Sequence, residues 1–392
     1  MIDRYLLPRP LHPFAWWGYA LALALAASLT LNPLFLLAIL IVVTFVVVMR
    51  RGDNPWAKGF KYYWWLGLFI IAFRIFLRII FGGGDGPTVL FNLPEIPLPS
   101  FVVGIRLLGP VSLESLLTGF YDGLRLATII VCIGAANSLA NPKRLLAALP
   151  ASLYELGTVL VVAVSVFPQL GESIKRVARV RKLRRTQTPK TRRQRLGIIE
   201  SIIVPVLSDA LDRSMALAAS MEARGYGRSG KATSGERTMA TTLGLVGVGL
   251  LGIWAYFLLA SPPLGTLWEG DFLGFSNKIP TADVVEWCLL AGGVFVVVKA
   301  MRVIGRQAER SRYRPDHWQL AETVTVVSGL LLVLVTVWTE NVDRETLFPM
   351  ILPFTVPTLT PALLLGLLIA AMPAVATPAP TLITAQVPEE VL

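Results

Sequence analysis

The residue whose type and position most clearly suggest a binding role is an arginine at the end of a predicted helix. The run 221–227 reads Met-Glu-Ala-Arg-Gly-Tyr-Gly, with Arg224 at its centre. Gly225 suits the left-handed position that ends many helices, and Arg224 in the last turn complements the negative helix end. The pattern Ala223-Arg224-Gly225 therefore predicts an arginine held at a helix tip. There it serves either as a simple helix terminus or as a group that enters a partner protein.

The same segment overlaps a pattern that resembles a phosphate-binding loop. Residues 225–231 match the G-x-x-x-x-G-K part of that loop, ending at Lys231. However, Ala232 stands where a metal-binding Ser or Thr is required, and the pattern follows a predicted helix rather than a strand. We therefore reject nucleotide binding at this loop, and we expect the chain to have no catalytic residue and no cofactor.

Four charged residues fall inside apolar segments of helical length: Arg74, Arg78, Asp122 and Arg125. Ionisable groups at membrane depth favour a functional hypothesis, which here is a substrate or proton path. The alternative is structural pairing, in which Asp122 binds Arg125 three residues later or an arginine of the other segment. The sequence leaves both interpretations open.

Cysteine and histidine give little support to metal or redox chemistry. Cys132 and Cys288 lie in separate apolar runs, which argues against a disulfide framework and against a cysteine-based metal site. His12 and His317 each lie beside a proline-containing turn, where a solvated or hydrogen-bonded imidazole is the ordinary interpretation. The sequence therefore predicts no metal site.

The elements that must position these residues are membrane-spanning helices. The 392 residues are 54% hydrophobic and only 16% charged, with a mean hydropathy of +0.64. The stretches 13–49, 238–268 and 346–388 contain no Asp, Glu, Lys or Arg. Because one membrane span needs about 20 mostly apolar residues, the sequence predicts an all-α, polytopic helical membrane protein and excludes most soluble enzyme folds. The predicted helices lie near 14–31, 34–49, 60–81, 113–136, 240–260, 284–301, 321–338 and 350–372.

The basic residues orient these eight spans. Arg50, Arg51, Lys58 and Lys61 lie between the second and third spans, and a group of five arginines at 302–314 lies between the sixth and seventh. Basic loops stay on the cytoplasmic side of a membrane, so both termini are expected in the cytoplasm. The acidic turn 340–345 and the loop 82–110, which is interpreted as external or re-entrant, then lie at the outer side.

The segment between the fourth and fifth spans carries the densest charge. The chain has a net charge of +11, and residues 175–195 contain eleven Lys or Arg and no acidic residue. Nucleic-acid binding, attraction to anionic lipid and cytoplasmic topology are the competing explanations. The run lacks interleaved aromatic residues, which argues against nucleic acid. The apolar run 156–171 is short for a crossing and would place the charges outside, so we predict that it lies along the inner membrane face.

Residues 137–239 therefore form one predicted cytoplasmic helical module. It separates spans 1–136 from the fifth span at 240–262, and a C-terminal extension with about three further spans follows at 263–392. Within the module, helices are expected near 142–149, 152–185 and 197–222. On the third helix an apolar arc of about 140° comprises Ile199, Ile203, Val206, Leu207, Ala210, Leu211, Leu217, Ala218 and Met221. Asp209, Asp212, Arg213 and Ser220 lie on the opposite arc.

These segments together resemble the transmembrane T component of energy-coupling-factor transporters, a family related to the Q subunit of cobalt importers. The resemblance lies in Ser-Leu-Glu-Ser-Leu-Leu-Thr-Gly-Phe-Tyr-Asp-Gly-Leu-Arg-Leu-Ala at 112–127, Asn141-Pro142, Ser-Val-Phe-Pro-Gln at 165–169, the basic helix end at 174–185, Pro205-Val-Leu and the run 221–227. It covers roughly residues 1–260.

The resemblance implies a non-catalytic subunit of an ATP-driven importer in a prokaryotic plasma membrane. It implies that Arg224 belongs to the second of two motifs that dock on two cytoplasmic ABC-type ATPase subunits. Near the place of the first motif this chain has Arg181 and Lys182 instead of Ala-Arg-Gly. The resemblance further implies a substrate-binding membrane partner, the S component, for a vitamin or a transition-metal ion. Membrane lipids are expected partners and nucleic acid is not.

Two rival functions follow from the residues alone. A self-contained secondary transporter would place Asp122, Arg125 and Arg74 on its substrate path, and internal repeats would favour it; none is visible in the sequence. An integral membrane enzyme acting on lipid head groups would need a catalytic constellation near the basic module. The sequence contains no His–carboxylate cluster there.

Overall fold

The computed structural model describes residues 9–52, 57–81, 86–94, 108–149, 153–184, 192–224, 234–260, 266–272, 275–305 and 318–379. Within these ranges most residues are helical. The helices are α1 Pro13–Ser28, α2 Pro33–Arg50, α3 Phe60–Phe81, α4 Leu113–Leu139, α5 Pro142–Ala147, α6 Tyr154–Arg184, α7 Arg192–Ala223, α8 Ser234–Ala260, α9 Thr281–Gly305, α10 Leu320–Val342, α11 Arg344–Leu347, α12 Pro361–Ala371 and α13 Pro373–Ala376. The strands are β1 Val89–Asn92, β2 Pro110–Ser112, β3 Thr266–Phe272 and β4 Phe275–Pro280.

The chain divides into two compact units, Met1–Leu145 with Pro315–Leu392, and Leu146–Arg314. The first unit is a helical bundle in which α4 packs against α1, α2 and α3. α1 also packs on α10, and α10 packs on α12. The buried core is apolar, and its largest fully buried side chains include Tyr19, Leu23, Phe35 and Ile39. The C-terminal helices are therefore part of the same bundle as the first four.

A buried asparagine ties the first hairpin to the C-terminal region. The Oδ1 atom of Asn32 accepts hydrogen bonds from the backbone N–H groups of Leu34 and Phe35, which caps α2. Its Nδ2 atom donates to the carbonyl oxygens of Thr346 and Thr358, at 2.7 and 2.8 Å. Asn32 therefore shapes the turn between α1 and α2 and also holds α11 and the segment between α11 and α12.

Small residues allow α3 and α4 to pack closely. A Cβ added at Gly123 would lie 3.0 Å from the Cα of Ile71, and one at Gly119 would lie 2.7 Å from the side chain of Arg78. On the α3 side, a Cβ at Gly67 would lie 3.3 Å from that of Ala127. The spacing 119, 123, 127 places the three small residues on one helix face, as in the small-xxx-small contacts of membrane helices.

The second unit contains two helix pairs and a hairpin. α6 packs on α7, and α8 packs on α9 through close contacts at Gly247 and Gly293, with Val297 and Leu251 as their neighbours. β3 and β4 form an antiparallel pair between α8 and α9. The predicted helices of the cytoplasmic module correspond to α5, α6 and α7.

The predicted fold class, an all-α polytopic membrane protein, is confirmed. Within the described residues, six helices are long and apolar enough to cross a membrane. Five of them correspond to the predicted second, third, fourth, fifth and seventh spans. The sixth is 157–183 within α6. The apolar run 156–171 alone is short for a span, whereas the continuous helix has the length and composition of one. Its position beside the membrane rather than across it stays a prediction based on charge.

The predicted eighth helix at 350–372 is wrong in its first half. Residues 351–354 form a turn, and α12 begins only at Pro361. Pro353 and Pro357 fall in the first half of the predicted range, where each removes a backbone donor and restricts the residue before it. The observed α12 has 11 residues, or about 16 Å at 1.5 Å per residue, which is short of the ~30 Å hydrocarbon core.

The predicted loop at 82–110 contains unexpected strand structure. β1 pairs with β2 in antiparallel register, with Val89 opposite Ser112 and Asn92 opposite Pro110. β2 leads directly into α4, where the Ser112 hydroxyl accepts a hydrogen bond from the Ser115 N–H at 3.2 Å. This strand pair therefore fixes the start of α4, the helix that carries Asp122 and Arg125.

Candidate coupling site

The two long helices of the predicted cytoplasmic module are held together at Asp209. The hydroxyl of Ser173 on α6 donates to Oδ2 of Asp209 on α7 at 2.7 Å. Arg176, also on α6, donates to the same oxygen at 3.0 Å. Arg213 on α7 approaches both carboxylate oxygens at 3.2 Å. One carboxylate thus joins two side chains of α6 to one of α7.

This arrangement favours the ionised carboxylate. The hydrogen bond from Ser173 makes the largest contribution, and Arg213 and Arg176 add favourable charge, so together they hold the pKa of Asp209 below its ordinary value. Ser173 is itself buried. The contact between α6 and α7 is therefore polar and directional at its centre.

The apolar arc of α7 is only partly used in this contact. Val206 is buried and Ala210 is half-buried, next to Asp209 around the helix. An apolar outer face of α7, made by Ile203, Val204, Leu207, Leu211 and Met215, has every side chain more than half exposed. Sequence reasoning placed Asp209 opposite the packing face, but the carboxylate points to α6 because Ser173 and Arg176 supply its partners.

Arg224 lies at the C-terminal end of α7. The helix ends at Ala223, and the Arg224 N–H donates to the carbonyl oxygen of Met221 at 3.1 Å. Both Ala223 and Arg224 are exposed. Gly225 and the rest of the glycine-rich segment through Lys231 lie outside the described residues. The predicted helix end at Arg224 is confirmed, whereas its role as a coupling residue stays a prediction.

Arg181 and Lys182 lie in the last turn of α6. Arg181 is half-buried and has an interaction partner, while Lys182 is exposed. A groove of about 400 Å³ lies on the N-terminal side of these residues, beside the α6–α7 contact. Its lining includes the cations Lys175, Arg176, Arg179 and Arg213 together with Glu172. Both predicted motifs therefore stand at helix ends that extend from one basic contact region.

The charged residues at membrane depth meet between α3 and α4. Asp122 lies 3.7 Å from Arg78 of α3 and 3.8 Å from Arg125 of its own helix. Both pairings considered from the sequence are therefore formed. Arg74 has no ion-pair partner among the described residues, although its backbone and Cβ pack against Gly119 and Gly123. This geometry provides a structural explanation for three of the four charges.

The described residues contain no group of three His, Cys, Asp or Glu side chains placed to hold a metal ion. Cys132 is buried in the core of the first unit, and Cys288 is exposed on α9. His12 caps the N-terminus of α1, where its ring accepts from the Phe14 N–H at 3.3 Å. His317 lies outside the described residues.

Sequence reasoning missed two features that the structure brings together. The first is the contact between Arg9 and Glu322, which links the segment before α1 to the start of α10. Arg9 and Glu322 each lie near the start of a predicted span, and nothing in the sequence indicates that these two charges pair. The second is the Gly119, Gly123, Ala127 stripe, whose four-residue spacing was readable in the sequence and typical of close helix packing.

The comparison with known families decides the assignment. The family model described as CbiQ, cobalt transport protein, matches residues 13–234. This range runs from the start of α1 to the start of α8 and covers more than half of the chain. The chain belongs to the CbiQ family. The resemblance derived from the sequence is therefore confirmed.

One curated relative carries the name energy-coupling factor transporter transmembrane protein EcfT and comes from Macrococcus caseolyticus (strain JCSC5402). It is 27% identical to this CbiQ-family chain over 162 residues, or 41% of this chain and 58% of the relative. The matched part is thus less than two thirds of the relative. The family assignment and the apolar helices agree in describing a multi-pass membrane protein of a transport system.

Proposed function

We propose that this CbiQ-family chain is the transmembrane coupling subunit of an ATP-driven, energy-coupling-factor type importer. In this proposal two cytoplasmic ABC-type ATPase subunits and a substrate-binding S component are its partners. The observation that carries the proposal is the joined pair α6–α7, with a basic motif at the end of each helix. The name of the Macrococcus relative supports the same class of transporter.

The contact at Asp209 makes α6 and α7 move together in this proposal. From Asp209 to Arg224 the chain runs 15 residues, or about 22 Å along a helix, and from Ser173 to Lys182 nine residues, or about 14 Å. Because α6 and α7 are joined between these ends, a displacement at one end moves the other helix as well. An ATPase without a membrane span can move a membrane subunit only through parts that lie outside the membrane, and in this proposal α6 and α7 are those parts.

Arg224 is suited to dock in a groove of an ATPase. A guanidinium offers a planar fork of donors that binds a carboxylate or several helix-terminal carbonyls at once. The side chain is exposed, and the helix end before it is fixed by its own backbone hydrogen bond. Lys182, an exposed point charge, supplies a weaker and less directional contact at the first motif, with Arg181 beside it.

The apolar outer face of α7 is proposed to meet apolar surface outside this chain. Five exposed apolar side chains in register along one helix would be costly in water. At the inner membrane face they would contact the S component or lipid. This placement agrees with the proposed orientation, in which residues 137–239 and both termini lie in the cytoplasm and α6 does not cross the membrane.

Substrate choice is assigned to the S component, so that the imported vitamin or transition-metal ion does not bind this chain. The rival secondary transporter would use Asp122, Arg125 and Arg74 on its path. The pairing of Asp122 with Arg78 and Arg125 supports a structural role for these charges instead.

The experiment is co-expression of the chain with the candidate ATPase and S-component subunits, followed by affinity purification through the chain and reconstitution. We expect the three kinds of subunit to co-purify and uptake to require ATP inside the compartment that holds the ATPases. Substrate uptake by the chain reconstituted alone, without ATP, would contradict the proposal and favour the secondary transporter.

A further inference from the structure

A groove opens between α2 and α3 in the first unit. Both helices pack on α4, and Ala127 and Val131 of α4 form its floor. The groove has a volume of about 540 Å³, which is within the range of pockets that bind small molecules. Its walls are almost entirely apolar, with Leu40 on the α2 side and Ile71 on the α3 side.

The groove has one charged end. Arg51, just after α2, and Lys61, at the start of α3, line it there, and both are exposed. No acidic residue is found among the described residues that line the groove. The neighbouring Arg50 is already bound, since it donates to the carbonyl oxygens of Ala374 and Val375 at 2.9 and 3.1 Å. Two positive charges are therefore available at the mouth.

Aromatic residues place this mouth at the membrane surface. Trp64 and Trp65 follow Lys61 along the groove, and tryptophan is enriched where the bilayer meets water. The Lys61 ammonium lies 5.2 Å from the ring centre of Tyr62. Together the tryptophans and the cations mark the level of the lipid head groups.

The length of the groove matches one leaflet. From the mouth inward, Arg51 to Leu40 covers 11 residues of chain, about 16 Å, and Lys61 to Ile71 covers 10 residues of α3, about 15 Å. Half of the ~30 Å hydrocarbon core is also about 15 Å. A transmembrane helix of a partner would continue through the bilayer, whereas this groove ends near the middle, as an acyl chain does.

We propose that the groove binds an anionic phospholipid of the leaflet in which Arg51 and Lys61 lie. The phosphate and the acidic head group contact these two cations, and one acyl chain lies between Leu40 and Ile71 on the floor of α4. The proposal is independent of the coupling function and concerns the other unit of the chain.

The test is native mass spectrometry of the chain after reconstitution in vesicles of equal parts phosphatidylglycerol and phosphatidylcholine and re-extraction. The wild type should retain one phosphatidylglycerol in preference to phosphatidylcholine. In Arg51→Ala/Lys61→Ala the affinity for phosphatidylglycerol should fall about 25-fold, at about fivefold for each basic residue. Lys58→Ala/Lys143→Ala, which removes two exposed cations outside the groove, should retain the lipid as the wild type does.

A second variant tests the apolar part without changing charge. Thr44→Phe places a ring in the groove and should reduce retention of phosphatidylglycerol, whereas Ile41→Phe on the exposed face of α2 should not. Equal retention of phosphatidylcholine, or unchanged retention in both groove variants, would overturn the proposal. The proposal would also be overturned if Leu68→Cys crosslinked to a membrane protein while no phosphatidylglycerol was retained. Arg224→Glu should leave lipid retention unchanged, so that a failure of the coupling proposal is separate from a failure here.

Discussion

Arg9 and Glu322 form a two-pronged ion pair across 313 positions of the sequence. Nη1 and Nη2 of Arg9 donate to Oε1 and Oε2 of Glu322 at 2.8 and 2.9 Å. Glu322 also accepts from the backbone N–H groups of His12 and Gln319, at 3.3 and 3.1 Å. The carboxylate is fully buried and the Arg9 side chain is 24% exposed. The pair therefore fixes the segment before α1 to the first turn of α10.

Arg9→Ala is expected to destabilise the first unit. Removing one partner of a fully buried pair costs about 3–5 kcal/mol, because the other charge stays buried without compensation; the cost here should be smaller because Arg9 is partly exposed. The thermal unfolding midpoint of the purified chain measures the effect. Glu345→Ala, at an exposed acidic residue, is the matched control and should leave the midpoint unchanged. Equal midpoints for both variants would show that the ion pair does not contribute.

The helices of the bundle could be predicted from the sequence because long, mostly apolar segments mark them directly, even where α3 and α4 carry a few charged residues. α2, α3 and α4 agree with the predicted ranges for that reason. α12 was misjudged because hydropathy over 350–372 outweighed Pro353 and Pro357, which interrupt the helix. The Arg9–Glu322 pair could not be predicted, since no local pattern specifies which distant helix a charge will meet.

The candidate coupling site was predictable at its ends and not at its centre. Arg224 was found because Gly225 follows it, a local signal of a helix end. Asp209 was placed on the solvent side because a helical wheel contains no information about the partner helix. Because Ser173 and Arg176 lie on the facing side of α6, a polar contact through Asp209 is more favourable there than an apolar contact through the middle of the arc.

Gly123→Val should weaken the packing of α3 on α4. A Cβ at this position already lies 3.0 Å from the backbone of Ile71, so a branched side chain forces the helices apart, with a typical cost of about 1–3 kcal/mol for overpacking. Gly249→Val on α8 is the control, since a Cβ there meets no atom within 4 Å. A loss of thermal stability in Gly123→Val alone is expected; equal behaviour of the two variants would argue against the close contact.

The Asp209 contact should depend on protonation. Its folded-state pKa is lowered, so its stabilising effect is present above the ordinary aspartate pKa of about 4 and is lost as pH falls through the folded value. Spin labels at Phe167 and Met215, both exposed, should give a narrow distance distribution at pH 7 and a broad one in strong acid. Asp209→Asn should be broad already at pH 7, whereas Asp212→Asn should match the wild type. A narrow distribution in Asp209→Asn would show that other contacts hold the helix pair.

The orientation of the basic module can be measured with single cysteines on a background that lacks Cys132 and Cys288. A cysteine at Leu183, the end of α6, should react with a membrane-impermeant thiol reagent only after cell lysis. A cysteine at Asn341, near the acidic turn, should react in intact cells. Labelling of position 183 in intact cells would contradict the proposed topology and would indicate that α6 crosses the membrane.

The most direct test of the coupling function is the effect of Arg224→Glu on ATPase binding. The charge reversal at the exposed end of α7 should remove the ATPase subunits from the purified complex and abolish ATP-dependent uptake. Loss of buried charged contacts of this kind costs about 2–5 kcal/mol, or about 30-fold to several thousand-fold in affinity. Arg181→Ala or Lys182→Ala alone should give a partial defect, and the double variant a severe one.

Arg302→Glu, an identical charge reversal at an exposed arginine in the last turn of α9, is the control for general electrostatic effects, and membrane insertion should be normal in every variant. The ATPase subunits should co-purify with Arg302→Glu and not with Arg224→Glu. Full ATPase co-purification and uptake with Arg224→Glu would contradict the coupling function, and Ala223-Arg224-Gly225 would then be only a helix terminus.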